Sequence, residues 1–203
     1  SPREQLVKRV QTFDSGKSKK VFVDQANSKV LKNHFENGDR VIILEGTFGH
    51  GLRTYATEIC NKYLGGRPFY TSNFVSDIEA IVNGDNGIQI YQGCAVYYPV
   101  DRCPLDFKNL KQLAKDLDVY VILGCPEGSN AITSIKVPEF HKRRMDFEPL
   151  IESFLEEWNH GRNYKCEGVS PQAISLLTSY NWPGGIKEFK DTLTRAFLLS
   201  DFK

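Results

Sequence analysis

The stretch that decides the fold is VIILEGTFGHGLRTYATEIC, residues 41–60. Its first four residues are all apolar, which is typical of a strand that is buried on both faces in a parallel sheet. Three glycines follow within six residues (Gly46, Gly49 and Gly51), and a helical pattern then begins at Tyr55. A strand, a glycine loop and a helix in this order form the geometry in which backbone N–H groups bind a phosphate.

The loop has the spacing of a P-loop but lacks its lysine. Gly46 and Gly51 are separated as in the P-loop motif, but the Lys and the hydroxyl residue that should follow are replaced by Leu52 and Arg53. A leucine makes no contact with the β- and γ-phosphates. The loop either still binds a nucleotide or an anion through its N–H groups, with Arg53 supplying part of the missing charge, or it keeps its glycines only because the turn needs them. We expect His50 to be exposed rather than catalytic.

Composition places the chain among ordinary globular proteins. It has 203 residues, of which 40% are hydrophobic and 25% charged, and a formal net charge of +1. This balance gives no global argument for binding nucleic acid or membranes. No apolar run approaches the ~20 residues of a membrane helix, and no signal peptide opens the chain. We therefore predict a cytoplasmic location without membrane contact, and we expect flanking domains beyond Ser1 and Lys203.

The five cysteines are scattered and form no CxxC pair, and no histidine lies at metal-ligand spacing from them. They predict buried free thiols rather than disulfides or a metal site. Paired carboxylates that would suit acid–base catalysis are also not recognisable.

Outside the glycine loop, the sequence predicts alternating strands and helices up to residue 143 and helices alone after it. Strands are predicted over residues 68–73, 87–98, 119–125 and 135–137, and helices over residues 24–35, 74–82 and 104–117. This alternation indicates a parallel α/β sheet. Helices then follow over residues 147–158, from Ser170-Pro171 onward, and over residues 183–200. We predict an α/β core over residues 1–143 and a small all-helical domain over residues 144–203.

Helical spacing also predicts which apolar side chains face inward. Among them are Val30, Leu105, Leu176, Tyr180 and Leu199. Trp158 and Trp182 are expected in core or interdomain packing. At the amino end, Lys17, Lys19 and Lys20 form a basic turn that indicates a solvated loop or, as the alternative, an anion site.

The most specific string of the chain is SYNWPGGIKEF, residues 179–189. It resembles the Y-x-WPGNVREL string in the AAA+ domain of the sigma-54-dependent transcription activators of bacteria, the NtrC-like family, and further strings resemble the same domain. Lys187 stands where the family has its sensor II arginine, and Gly185 stands where it has asparagine. Arg143, followed by Asp146 and Phe147, resembles the start of the family's lid. The resemblance implies a P-loop AAA+-like parallel sheet flanked by helices, followed by a small all-helical lid domain.

The resemblance also identifies what the family needs for ATP hydrolysis and this chain lacks. Leu52 replaces the Walker A lysine. If residues 93–99 align with GTLFLDE, Tyr98 and Pro99 replace the acids that organise Mg²⁺ and water, and the alternative register places Gln92 and Gly93 there. Cys125 and Pro126 replace the Thr-Asn of sensor I. The GAFTGA loop is absent, and the arginine-finger segment is shortened.

We therefore predict a non-hydrolysing, pseudo-ATPase regulatory and oligomerisation domain of a bacterial transcription regulator. The alternatives are a receptor domain that binds a nucleotide or cyclic dinucleotide in the degenerate cleft, and a weak ATPase that uses Arg53 or Lys187 as a substitute cation. No catalytic residue, metal ligand or required cofactor is predicted. The candidate nucleotide-binding residues are Gly46, Gly49, His50, Gly51, Leu52, Arg53 and Lys187. The expected partners are other domains of the same regulator and further copies of the chain, with DNA bound only by a domain outside it.

Overall fold

The computed structural model describes residues 10–12, 25–72, 74–128, 134–163 and 165–200. The described residues form two compact units. The first contains the chain up to Thr47 and the segment Leu52–Val137. The second contains Phe48–Gly51 and the chain from Pro138 onward. The middle of the glycine loop therefore belongs to the same unit as the carboxy-terminal helices.

The first unit is built on one six-stranded sheet. Its strands are β1 Val10–Thr12, β2 Val41–Glu45, β3 Phe69–Ser72, β4 Ala95–Pro99, β5 Tyr120–Cys125 and β6 Ser134–Lys136. They lie in the order β1-β3-β4-β5-β2-β6. β1 runs antiparallel to β3, and the other strands pair in parallel. The predicted parallel α/β sheet is confirmed.

The predicted helical lid is also confirmed. Helices α1 Gln25–Glu36, α2 Leu52–Tyr63, α3 Ile78–Asn83 and α4 Lys108–Asp116 belong to the first unit. Helices α5 Phe147–Asn159, α6 Pro171–Ser179 and α7 Gly185–Ser200 belong to the second. The predicted cap of α6 is present, since the Ser170 hydroxyl accepts a hydrogen bond from the Ala173 N–H at 3.2 Å and Pro171 occupies the first position.

Strand β2 lies inside the sheet between β5 and β6, and all five of its residues are buried. Ile43, for example, pairs with Leu123 on β5 and with Ser134 on β6. A strand that is buried on both faces favours apolar residues, which explains the uninterrupted run at its start. The exception is Glu45 at its end, whose buried carboxylate accepts hydrogen bonds from the Gly128 N–H and the Ser134 hydroxyl. This position fixes the point at which the glycine loop leaves the sheet.

The core of the second unit is aromatic. The rings of Phe140 and Phe147 stack with centroids 4.6 Å apart, and Phe189 meets both of them edge-on. Trp182 is buried as predicted, and its ring nitrogen donates to the Leu177 carbonyl at 2.7 Å. Trp158 is only half-buried, against Phe197. Aromatic pairs of this geometry stabilise a small core beyond their buried area.

Two predicted elements differ from the structure. The helix expected over residues 74–82 begins only at Ile78, because the Asp77 side chain caps it by accepting from the Glu79 N–H at 3.0 Å. The first half of the strand expected over residues 87–98 is a short 3-10 helix, Ile88–Tyr91. Gly87 and Gly93 bracket it with positive φ angles, which an extended strand does not contain.

Some side chains predicted to face inward are exposed instead, namely Val30, Leu105, Leu176, Tyr180 and Leu199. Leu105 precedes α4, which begins only at Lys108, so helical spacing does not apply to it. Helix α6 has no fully buried residue, which leaves Leu176 72% exposed. The basic turn with Lys17, Lys19 and Lys20 lies outside the described residues.

Candidate functional site

The glycine loop begins where β2 ends. The Gly46 N–H donates to the Cys125 carbonyl at 3.1 Å, which continues the parallel ladder for one more step. Leu52, the first residue of α2, is only 3% exposed, and a Cβ atom on Gly46 would lie 3.2 Å from its Cδ2. The residue at the lysine position therefore packs inward against the base of the loop.

His50 is buried, which corrects the expectation that it is exposed. Its Nδ1 accepts a hydrogen bond from the Phe140 N–H at 3.1 Å, and its Nε2 lies 3.3 Å from the Pro183 carbonyl oxygen. An amide N–H can only donate and a carbonyl can only accept, so these partners fix the neutral tautomer with the proton on Nε2. The imidazole therefore joins the segments before α5 and before α7 to the loop.

Arg143 holds the same loop from a second side. Its Nη2 donates to the His50 carbonyl at 2.8 Å, and its Nε lies 3.3 Å from Oδ2 of Asp146. Both side chains of this ion pair are buried, the carboxylate completely. The charge of Arg143 is therefore internal to the protein.

Glycines allow the loop and the start of α7 to approach closely. The Ile186 N–H donates to the Gly49 carbonyl at 3.0 Å. Gly185 has a φ of +65°, and a Cβ atom there would overlap the Gly49 carbonyl. At Gly51, a Cβ atom would overlap Cδ1 of Ile186. A side chain at Gly185 would separate the two backbone segments, so glycine is required there for the contact itself. At Gly51, the Ile186 side chain would have to move aside.

The two candidate cations, Arg53 and Lys187, are both exposed. Arg53 lies in the first turn of α2 and Lys187 in the first turn of α7. Burial raises the pKa of Tyr97, and the charge of Arg53 opposes that rise, which places the guanidinium near the phenol. Tyr97 in turn covers Gly124 on β5, where a Cβ atom would overlap its hydroxyl.

Uncharged side chains occupy the positions assigned to the Walker B acids. Tyr98 and Pro99 are the last two residues of β4, whereas Gln92 and Gly93 precede the strand. Tyr98 is 5% exposed and contributes to the apolar core.

Cys125, at the end of β5, is a buried thiol whose pKa is raised. The larger cause is its side-chain hydrogen bond with Cys103, and the second cause is burial. None of the five cysteines, which all lie in the described part of the chain, forms a disulfide. Among the described residues, no group of three or more His, Cys, Asp or Glu side chains could hold a metal ion.

Comparisons with known proteins agree with this architecture. Residues 141–203 match the family model of the AAA+ ATPase lid domain. Transcriptional regulatory protein ZraR of Klebsiella oxytoca is 35% identical over 68 residues, which cover 34% of this chain and 15% of that protein. The phenol regulator MopR of Acinetobacter guillouiae is 33% identical over 98 residues, which cover 46% of this chain and 16% of that protein.

The chain is homologous to the AAA+ domains of sigma-54-dependent transcription regulators. The matched segments make up only 15–16% of the length of these two relatives. Among solved structures, NtrX from Brucella abortus in complex with ATP has a TM-score of 0.60 and 17% identity, covering 100% of this chain and 56% of that one. This likeness shows that the fold of the whole chain is similar to that of NtrX. The resemblance inferred from the residues is confirmed.

No helix in the described part of the chain is long and apolar enough to cross a membrane.

Sequence reasoning placed the loop correctly after β2 but missed the contacts of His50 and Arg143. The i, i+3 spacing of Arg143 and Asp146 was the available signal for the buried ion pair, since such residues meet on one face of a helical turn.

Proposed function

We propose that this chain is a non-hydrolysing AAA+-like domain of a bacterial transcription regulator. The observation that carries the proposal is the packing of the loop. Leu52, at the lysine position, is buried at 3% exposure, and the loop residues Gly49 and His50 are bound to the residues before and within α7. The loop therefore stabilises the fold through contacts that phosphate binding does not need.

The chemistry of the neighbouring strands supports the same proposal. Phosphoryl transfer is catalysed by positioned cations and by groups that hold Mg²⁺ and orient water. Tyr98 is a buried phenol, and Pro99 has no polar side-chain atom. Neither side chain supplies the carboxylate ligand that Mg²⁺ prefers. In this proposal the domain acts by folding, by associating with other domains or copies, and by transmitting signals.

A second function, nucleotide binding without hydrolysis, is favoured by one observation. Arg53 is exposed in the first turn of α2, where the helix dipole also attracts anions. Brucella abortus NtrX has been solved in complex with ADP and with ATP. For this chain, the two functions differ in whether the loop accepts a phosphate.

The test is to measure Mg²⁺-dependent ATP hydrolysis, the binding of a fluorescent ATP analogue and the melting temperature for wild type and Leu52→Lys. We expect no hydrolysis in either protein. We also expect a lower melting temperature and no gain in affinity for Leu52→Lys, because the substitution buries an unpaired ammonium. Leu52→Met is the matched control, since it changes shape at nearly constant volume and should stay close to wild type.

Two outcomes would contradict the proposal. Mg²⁺-dependent turnover that disappears in Arg53→Ala or Lys187→Ala would show a substitute catalytic cation. A gain of about tenfold to hundredfold in nucleotide affinity in Leu52→Lys, with the melting temperature retained, would show an open phosphate cradle. Such a gain corresponds to the ~1.5–3 kcal/mol of a charge-assisted hydrogen bond.

A further inference from the structure

The first unit contains a cavity of about 500 Å³ at the carboxyl ends of β3 and β4. We call it the Tyr98 pocket. Its polar lining is Ser72, Ser76, Asp77, Asp85, Asn86, Tyr91 and Tyr98. In open parallel sheets, the crevice outside the carboxyl ends of the strands is where ligands bind. The position of the pocket in the sheet therefore favours ligand binding. The decisive observation is whether its buried polar atoms have hydrogen-bond partners.

Four buried side-chain atoms at this pocket have no hydrogen-bond partner among the described residues. They are the hydroxyls of Tyr91 and Tyr98 and the Oδ1 and Nδ2 atoms of Asn86. Both tyrosines are more than nine-tenths buried. The Asn86 side chain lies close enough to the Tyr98 hydroxyl to oppose the rise in its pKa. No group in the described part of the chain, Asn86 included, meets both the distance and the angle of a hydrogen bond to that hydroxyl. Native proteins pair nearly all buried polar atoms, so a cluster of four without partners indicates a missing group.

The two phenols keep their protons at neutral pH. Burial raises the pKa of Tyr91 to about 12 and raises that of Tyr98 as well. Each hydroxyl oxygen can therefore both donate and accept a hydrogen bond, and the Asn86 Oδ1 can accept one. Three acceptor oxygens at one site match the three N–H donors of an ammonium group.

The charge around the pocket favours a cation. The exposed carboxylates of Asp77 and Asp85 lie on its lining, and no Lys, Arg or His is among the described lining residues. A phosphate or carboxylate would meet only like charge there. The exposed side chains of Phe74 and Val75 add apolar surface.

We propose that the Tyr98 pocket binds a small primary amine in its protonated form, attached to an apolar body. The ammonium group hydrogen-bonds to the Tyr91 and Tyr98 hydroxyls and to Oδ1 of Asn86, while Asp77 and Asp85 supply the opposite charge. The apolar body lies against Phe74 and Val75. Both amide atoms of Asn86 are buried, although the residue as a whole is half-buried, so binding requires the amide to rotate and admit the head group. This site is independent of the function proposed for the glycine loop.

The test uses two probes of similar shape and opposite charge, 2-phenylethylamine and phenylacetate. Each is titrated into the 203-residue chain at pH 7, and dissociation constants are taken from protein-observed NMR shifts. We expect 2-phenylethylamine to bind and phenylacetate to bind at least about tenfold more weakly, a difference of about 1.4 kcal/mol.

Single substitutions test whether the amine binds in the Tyr98 pocket. Tyr98→Phe removes one acceptor and should weaken binding of the amine about three- to tenfold. Asp85→Asn should weaken it about two- to threefold, because an exposed charge pair contributes little. The matched control is Tyr97→Phe, the adjacent tyrosine of β4. Its ring covers Gly124 and is not part of the pocket, so the affinity should not change.

Three results would overturn the proposal. The first is no binding of the amine, which would mean that water alone satisfies the buried atoms. The second is equal affinity for both probes, which would show a purely apolar site. The third is an equal loss of affinity in Tyr97→Phe and Tyr98→Phe. Asn86→Ala should also weaken binding, and it keeps the test decisive if Tyr98→Phe does not fold.

Discussion

The glycine loop and the Tyr98 pocket both contain buried polar groups, but these groups are paired very differently. At the loop, both ring nitrogens of His50 have backbone partners, and Arg143 bonds to the His50 carbonyl and to Asp146. At the pocket, the phenols of Tyr91 and Tyr98 have none among the described residues. Pairing inside a protein stabilises a conformation, whereas unpaired polar atoms lower the stability until something binds them.

This difference reverses what the sequence motifs alone indicate. The glycine loop has the spacing of a ligand site, yet its middle residues are engaged by their own chain. The pocket has no recognisable motif, yet it presents unpaired donors and acceptors. A motif identifies a backbone geometry, and the partners of each polar atom decide whether that geometry is available to a ligand.

The largest expected effect tests whether the loop is held by Arg143. Arg143→Ala should lower the free energy of unfolding of the second unit by about 3–5 kcal/mol, because it leaves the fully buried Asp146 carboxylate without this cation. Both tryptophans of the chain, Trp158 and Trp182, lie in this unit, so urea unfolding followed by tryptophan fluorescence reports on it.

The neighbouring Arg144 is the control for this experiment. It is exposed, and Arg144→Ala should change the free energy of unfolding by no more than about 0.5 kcal/mol. Similar losses in both variants would mean that removing any positive charge from this segment has the same effect, whether or not it belongs to the buried Arg143–Asp146 pair. The contrast between a paired loop and an unpaired pocket would then fail on the loop side.

A smaller effect is expected at the contact between the loop and α7. Gly185→Asn introduces the residue that the resembling family has at this position. It should destabilise the second unit by about 1–3 kcal/mol, because its Cβ would overlap the Gly49 carbonyl and force the backbone apart. The same fluorescence experiment measures this loss.

Gly161→Asn is the control that separates the cost of the close contact at Gly185 from the cost of a positive φ angle. Gly161 has a φ of +72°, close to that of Gly185, and no described atom lies within 4 Å of a Cβ placed there. Asparagine tolerates positive φ better than most residues, so the control should lose much less stability. Equal losses would show that the strain is in φ and that the loop adapts to a side chain at Gly185.

The sequence predicted the features of the fold that depend on neighbouring residues. The apolar run of β2, the glycine spacing after it and the cap at Ser170 are all local, and each was found. The burial of His50 was not predictable in this way. Its partners Phe140 and Pro183 are 90 and 133 residues away in the chain, and nothing in the loop sequence specifies them.

The pocket illustrates the same limit. The alternation of polar and apolar residues that predicted a strand over residues 87–98 comes from Tyr91 and its neighbours in a 3-10 helix. That helix brings Tyr91 against Tyr98, which lies on β4. Periodicity describes one segment at a time, so it cannot show that two phenols and an amide from different segments share one cavity.

The smallest expected effect concerns the stability of the pocket without a ligand. Tyr98→Phe keeps the ring and removes only the unpaired hydroxyl, so it should raise the free energy of unfolding by up to about 1 kcal/mol, since no hydrogen bond is lost and a desolvation cost is removed. Urea unfolding followed by far-ultraviolet circular dichroism measures the change. Tyr97→Phe on the other face of β4 should give no such gain, because its hydroxyl is not among the unpaired buried atoms. A loss of stability in Tyr98→Phe would mean that the hydroxyl already has a partner, such as an internal water, and the contrast between loop and pocket would then fail on the pocket side. A gain in Tyr98→Phe alone would confirm that this protein keeps a polar group at a cost to its own stability, which is what a binding site requires and a structural core does not.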